Sequence, residues 1–298
     1  MEDWYYAFSG LRVASELPLP EWAMFEEKHP FDLIDVNIRL GSEGPQLGPP
    51  VLNADEYCFY IPEAGYYSVR RGCEIVVAPA MGAGASEVRL FLLGSAWGAL
   101  CYQRGLLALH TSVVQTGDDA VAFCGTTGSG KTSVAAWLVA RGYRLVSDDL
   151  CRYDVRPQGQ PIVYPSTSRI KIWRDALAAL GWNHTGLERD HFRLDKFHWP
   201  VIRKEKLHPL PVRAVYVLEW GDLGISRLTG VRALHRVVEA ATYRGELLEP
   251  MGQVAAHWDR CARMVQRVPI WEFTRPRHWA AMKASMTLLT SHWNVLTS

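Results

Sequence analysis

Apolar residues recur along this chain with two different periods, and the pattern changes character near residue 105. Before that point, short stretches dense in β-branched and aromatic residues follow one another closely: FSGLRVASELPLPEW, DVNIRL, EYCFYIP, YYSVRR and CEIVVAPA, with GSEGPQLGPP as a Gly/Pro loop among them. Residues 86–104, SEVRLFLLGSAWGALCYQR, take up a helical period instead. Val88, Leu92, Ala96 and Leu100 fall four apart, and Ser86 is placed to cap. Residues 1–105 thus read as a small β-rich α+β module closed by a helix.

Beyond it, strands and helices alternate. LALHTSVVQ and AVAFC read as two strands joined by a turn at 116–119, followed by a helix over Lys131–Arg141, a stop at Gly142 and the strand YRLVS. RPQGQPIVYPSTS is loop-like around a short strand at IVY, RDALAALG is a short helix, and WNHTGLERDHFRLDKFHWP is polar and irregular. RAVYVLEW is a strong strand, followed by helices over 231–242 and 251–266, the strand PIWEF and a last helix starting near Pro276. The alternation predicts an α/β domain over 106–298.

Composition narrows the class of protein without choosing a function. With 298 residues, 48% hydrophobic and 21% charged, the chain has core enough for one large domain or two modest ones. A net charge of +1 gives no general pull toward nucleic acid or membrane. Six cysteines without a CxxC pair argue against a zinc site or disulfide framework and suit a reducing cytosol. The opening MEDWYYAFSG is not a signal peptide, and LFLLGSAWGALCY is too short and too broken by Gly and Ser to span a bilayer, so the expected location is cytoplasmic. The twelve tryptophans are scattered and read mostly as core or interface filler.

The chemistry concentrates in one stretch. Gly125, Thr126, Thr127, Gly128, Ser129, Gly130, Lys131 and Thr132, with Ser133 behind them, match the phosphate-binding pattern GxxxxGK[ST] after an apolar strand and before a helix carrying Val134 and Leu138 on one face. Glycines let successive N–H groups turn toward phosphate oxygens, and the helix adds its positive end. Lys131 is placed to reach the β- and γ-phosphates of ATP and the Thr132 hydroxyl to ligate magnesium. Seventeen residues after Lys131, Asp148 and Asp149 close the next strand, at the sheet edge where open α/β sheets place their sites. Two carboxylates there can divide the work, one on the metal and one taking the proton from an attacking hydroxyl. His110, in LALHTSVV, reads on its own as a packed strand residue. Arg169 and Lys171 in SRIKIW, or Arg193 and Lys196 in RLDKF, are cations that could face a transferring phosphoryl group or simply water.

LALHTSVVQTGDDAVAFCGTTGSGKTSVAAWLVARGYRLVSDDL resembles the catalytic domain of HPr kinase/phosphorylase, a P-loop kinase fold with a His before the loop strands and a DD pair behind the loop helix. That resemblance implies that Asp148 is the general base, that Thr132 and Asp149 form the magnesium side, and that His110 lies near the transferred phosphate. YAFSGLRVASELPLPEW, RIKIWRDALAALG, YVLEW and VPIWEFTRP resemble the HPr-kinase-like proteins of lasso-peptide gene clusters. The activity this implies is ATP- and magnesium-dependent phosphorylation of a precursor peptide at its C-terminal serine, with homo-oligomerisation left open. The glutamate of the HPr kinase/phosphorylase signature is missing from RYDVRPQGQPIVYPSTS, a departure that weighs against phosphorylase activity and against HPr as the substrate. An HPr-type protein serine kinase is the alternative within the same family; a small-molecule kinase and a non-kinase P-loop ATPase or nucleotide-binding module are the other readings. A small-molecule kinase usually begins at its loop, without the module that precedes it here, and a P-loop ATPase usually carries a later strand ending in Asp-Glu.

Overall fold

The computed structural model describes residues 3–41, 51–166, 169–190, 194–201 and 206–296. Strands β1 (Trp4–Phe8), β2 (Leu11–Ser15), β3 (Glu26–Glu27), β4 (Val36–Leu40), β5 (Glu56–Ile61), β6 (Gly65–Arg70) and β7 (Glu74–Pro79) form one sheet in the order β3-β1-β2-β4-β7-β6-β5. Its apolar alternation is clean, with Val36 and Ile38 of β4, and Ile75 and Val77 of β7, in one buried core. That core is closed by helices α1 (Ala85–Phe91) and α2 (Trp97–Gln103), joined through a π-helical turn at Leu92–Ala96. Val88, Leu92, Ala96 and Leu100 are all buried there, as their spacing predicts. Ser86 does not cap: the helix starts from Gly84, and the Ser86 hydroxyl donates to Glu87 Oε2 at 3.2 Å.

The second sheet is built from β8 (Leu107–His110), β9 (Ser112–Thr116), β10 (Asp119–Cys124), β11 (Arg144–Ser147), β12 (Leu150–Asp154), β13 (Ile162–Val163), β16 (Leu210–Trp220), β17 (Gly224–Leu228) and β18 (Ile270–Arg275). The main path runs β11-β9-β10-β16-β13-β12-β8, with β18 beside β16 and β17 beside β18. Only β10, β16 and β18 pair in parallel, because β9 and β10 are joined by a tight turn that forces an antiparallel neighbour. β10 shows the two-residue period at work. Ala120, Ala122 and Cys124 face a core shared with α5 (Gly230–Ala241) and α6 (Val254–Arg267), whereas Val121 and Phe123 face one shared with α3 (Lys131–Val139), α4 (Arg174–Ala179) and α7 (Met282–Leu296). The sheet is therefore covered on both faces, a mixed α/β layer.

Several elements depart from the pattern reading. RIKIW forms β14 (Arg169–Trp173), and part of the stretch read as irregular forms its partner β15 (Lys196–Pro200), with Ile170 and Ile172 buried between charged neighbours. Helix α3 is not one-sided: Val134, Ala135, Ala136 and Leu138 are all buried. The last helix begins at Met282, because His278 first caps a short 3-10 turn at Trp279–Ala281 by accepting from the Ala281 N–H.

The first core does not stop at residue 105. It includes Ala108 of β8 and, from the far end of the chain, Leu247, Leu248 and Met251. Nearby, Arg152 of β12 donates to the Ser9 carbonyl.

Buried His257 on α6 sits beside the Thr242 hydroxyl, 2.9 Å from its Nε2, and near Cys261. Burial lowers its pKa to about 4, against an ordinary value of 6.5. Above pH 6.5 the group is neutral folded or unfolded and contributes no pH dependence. Between pH 6.5 and 4 the unfolded chain takes up a proton that the folded chain excludes, so stability falls as pH falls. Thermal melts over that window should show the decline, and His257→Gln should flatten it. An unchanged slope in the variant would refute the assignment.

Candidate functional site

The glycine loop connects β10 to α3, and Gly128 and Gly130 both hold left-handed backbone (φ +83° and +86°) that a side chain would strain. Lys131 is buried and folds back on the loop, donating to the Gly125 carbonyl at 2.8 Å and more weakly to that of Thr126 at 3.4 Å. Burial pulls its pKa down. Ser129 Oγ is buried with no partner among the described residues, so the loop carries an unused polar group as well as a cation turned onto its own carbonyls.

Asp148, at the end of β11, is 6% exposed and collects three donors. The Ser112 hydroxyl donates to Oδ1 at 2.6 Å, the Thr132 hydroxyl to the same oxygen at 3.3 Å, and the Lys171 N–H to Oδ2 at 3.2 Å. Burial nevertheless raises its pKa, with the Asp149 charge adding to the effect. Asp149 takes left-handed backbone (φ +79°), which Asp tolerates better than most side chains, and so turns away from its neighbour's partners. Its Oδ2 lies 2.9 Å from Lys171 Nζ and its Oδ1 3.4 Å from His110 Nε2. Burial alone would raise its pKa, but the Lys171 charge and its hydrogen bond reverse that and hold it well below the usual range. The same contacts hold Lys171 protonated despite burial, with Asp190 adding a second carboxylate at 3.5 Å. Burial lowers His110 to about 4, so it is neutral at pH 7.

Two cavities meet at this group. A cleft of about 770 Å³ runs along the loop past Lys131, Thr132 and His110. A smaller pocket of about 70 Å³ is lined by Asp148, Asp149 and Lys171 together with Phe8, Trp22 and Trp97. The π-helical turn brings Leu93 and Gly94 to the lining of this pocket.

Each residue anticipated from sequence can now be placed. Gly125 to Ser133, His110, Asp148, Asp149 and Lys171 converge on one locus. The Thr132 hydroxyl contacts Asp148, whereas the resemblance grouped it with Asp149. Lys196 lines the larger cleft. Arg169 lines the smaller pocket but is held by Glu21 at 3.4 Å and Glu188 at 3.6 Å. Arg193 lies outside the described residues.

The sequence reading missed Ser112, and it missed Tyr243, whose ring meets His110 edge-on at 6.0 Å. It also misjudged three tryptophans. Trp173, Trp220 and Trp279, exposed by 47%, 37% and 37%, all line the larger cleft rather than filling core. Trp220 ends β16, the parallel neighbour of the loop strand, and Arg275 ends β18, the next parallel strand, and the rule that ligands sit at such carboxyl ends would have nominated both.

No protein-family model and no curated protein matches the chain. Among solved structures it is similar to the HPr(Ser) kinase/phosphatase from Coxiella burnetii, at 13% identity, over 64% of this chain and 99% of that chain, with a TM-score of 0.34. At that score no residue role is carried across. No helix among the described residues is long and apolar enough to cross a membrane.

Proposed function

We propose that the chain is an ATP- and magnesium-dependent kinase that phosphorylates a peptide hydroxyl, the C-terminal serine of a lasso-peptide precursor. The observation that carries this reading is Asp148, a buried carboxylate between the phosphate-loop cleft and the smaller pocket. ATP occupies the cleft with its phosphates on the loop, and the acceptor hydroxyl enters from the smaller pocket. The serine oxygen forms a bond to the γ-phosphorus, the bond from that phosphorus to the β,γ-bridging oxygen breaks, and the hydroxyl proton passes to Asp148. ADP leaves. Burial suits Asp148 to this task, since a carboxylate with a raised pKa holds a proton better. Lys131 must leave the loop carbonyls to meet the phosphates.

Thr132 and the two aspartates offer oxygen donors beside the loop, the set a hard divalent cation accepts together with phosphate oxygens. When bound, magnesium neutralises phosphate charge. Asp149 is already engaged by Lys171 and His110 and joins the metal side by exchanging those partners. Lys171 then remains as a cation beside the transferring group.

A small pocket also fits a small alcohol, which favours a small-molecule kinase as the second reading. Incubation with γ-labelled ATP and a peptide ending in serine separates the two. Label on the peptide, lost when the terminal serine is changed to alanine, is the expected result. ATP hydrolysis without label on any peptide would refute the reading.

A further inference from the structure

A buried charge without a counter-charge is costly, unless an anion arrives to meet it. Among the described residues, the least exposed lysine and arginine are Lys131 (7% exposed) and Arg275 (2%). Neither makes an ion pair there, whereas Arg89, Arg169 and Lys171 each face a carboxylate. Both unpaired cations touch the glycine loop. Arg275 ends β18 directly opposite Trp220 of β16, and its Nη2 donates to the Ser129 carbonyl at 2.6 Å. The guanidinium lies 4.2 Å from the Trp220 ring, whose Nε1 donates to the Gly128 carbonyl at 3.3 Å. Gly130 makes room for this contact, since a Cβ there would stand 2.3 Å from Arg275 Nη2. Arg275 Nη1 is buried with no partner among the described residues, and Arg275 lines the larger cleft.

We propose that Arg275 is a phosphate-recognition residue, a second cation beside Lys131 that neutralises the polyphosphate of a bound nucleoside triphosphate. This rests on reading the loop as a nucleotide site. Trp220 and Arg275 hold the carbonyls of residues 128 and 129, which fixes the backbone of the loop around the phosphate site. The guanidinium charge acts through one layer of loop backbone, where the low dielectric strengthens it. Burial lowers the Arg275 pKa to about 10, so it remains a cation at neutral pH.

Calorimetric titration of the whole chain with ATP, ADP, AMP and adenosine tests this. Arg275→Met should weaken ATP binding by about tenfold or more, ADP less, and adenosine hardly at all, since charge-assisted contacts are the strong ones. Arg275→Lys should keep most of the preference for ATP over adenosine. An equal loss for ATP and adenosine in Arg275→Met would leave the arginine a purely structural clamp and overturn the proposal. So would a preference lost equally in the Lys and Met variants. If Arg275→Met does not fold, wild type and Arg275→Lys decide: preference preserved supports the proposal, preference lost sinks it. A wild-type protein that binds none of the four ligands would refute the nucleotide reading itself.

Discussion

Asp148→Asn is expected to lower phosphoryl transfer by roughly 10²–10⁴-fold, the span a positioned general base contributes, while ATP binding stays close to wild type. Asparagine keeps the shape and can still accept from Ser112, whose hydroxyl rotates freely, but it cannot take a proton. The loop N–H groups and Lys131, which carry nucleotide affinity in this reading, are untouched. Transfer in the wild-type enzyme should also fall as pH drops through the Asp148 pKa, because a base works only when deprotonated. Burial places that fall above the ordinary carboxylate range.

Asp149→Asn supplies the contrast. It releases Lys171 and His110 from their carboxylate, so its defect should shrink as magnesium is raised, whereas that of Asp148→Asn should not. Single-turnover rates at several magnesium concentrations would read both. Near wild-type transfer by Asp148→Asn would remove the base assignment; a magnesium-sensitive Asp148→Asn with an insensitive Asp149→Asn would exchange the two roles.

How far the sequence revealed this arrangement depended on whether the signal was local. Gly125 to Thr132 and the aspartate pair were legible because backbone conformation and spacing along one strand–helix–strand unit dictate them. The helix over 86–104 was legible because four apolar positions share one face. β14 and β15 were not: their pairing joins Arg169 to Pro200 across thirty-one positions, and Arg169 and Lys171 hide the alternation of Ile170 and Ile172. Lys171 was named as a candidate, but its position between Asp149 and Asp190 exists only once that ribbon folds. Trp220 and Arg275 are remote in sequence yet adjacent in register, so only the strand order could connect them to the loop. Thr132 was grouped with Asp149 by resemblance, and the left-handed turn at Asp149 puts Asp148 beside it instead.

Trp97→Ala is expected to destabilise the whole chain by about 3–5 kcal/mol, as deletion of a buried tryptophan does. Trp97 is 3% exposed and packs against Trp22 at 4.9 Å and Phe8 at 5.4 Å between ring centroids. Its core reaches Ala108 of β8 in the second sheet and Leu247, Leu248 and Met251 beyond α5, so the loss should not stay within the first sheet. Calorimetry should show one transition, shifted as a unit, rather than early melting of the first hundred residues alone. Two resolved transitions, with only the lower one moved, would mean that the sheets are thermodynamically separate. The same ring lines the smaller pocket, so in the fraction that stays folded the KM for the acceptor should rise more than that for ATP. A core that supports the fold and also lines the smaller pocket makes the first sheet part of the proposed acceptor site.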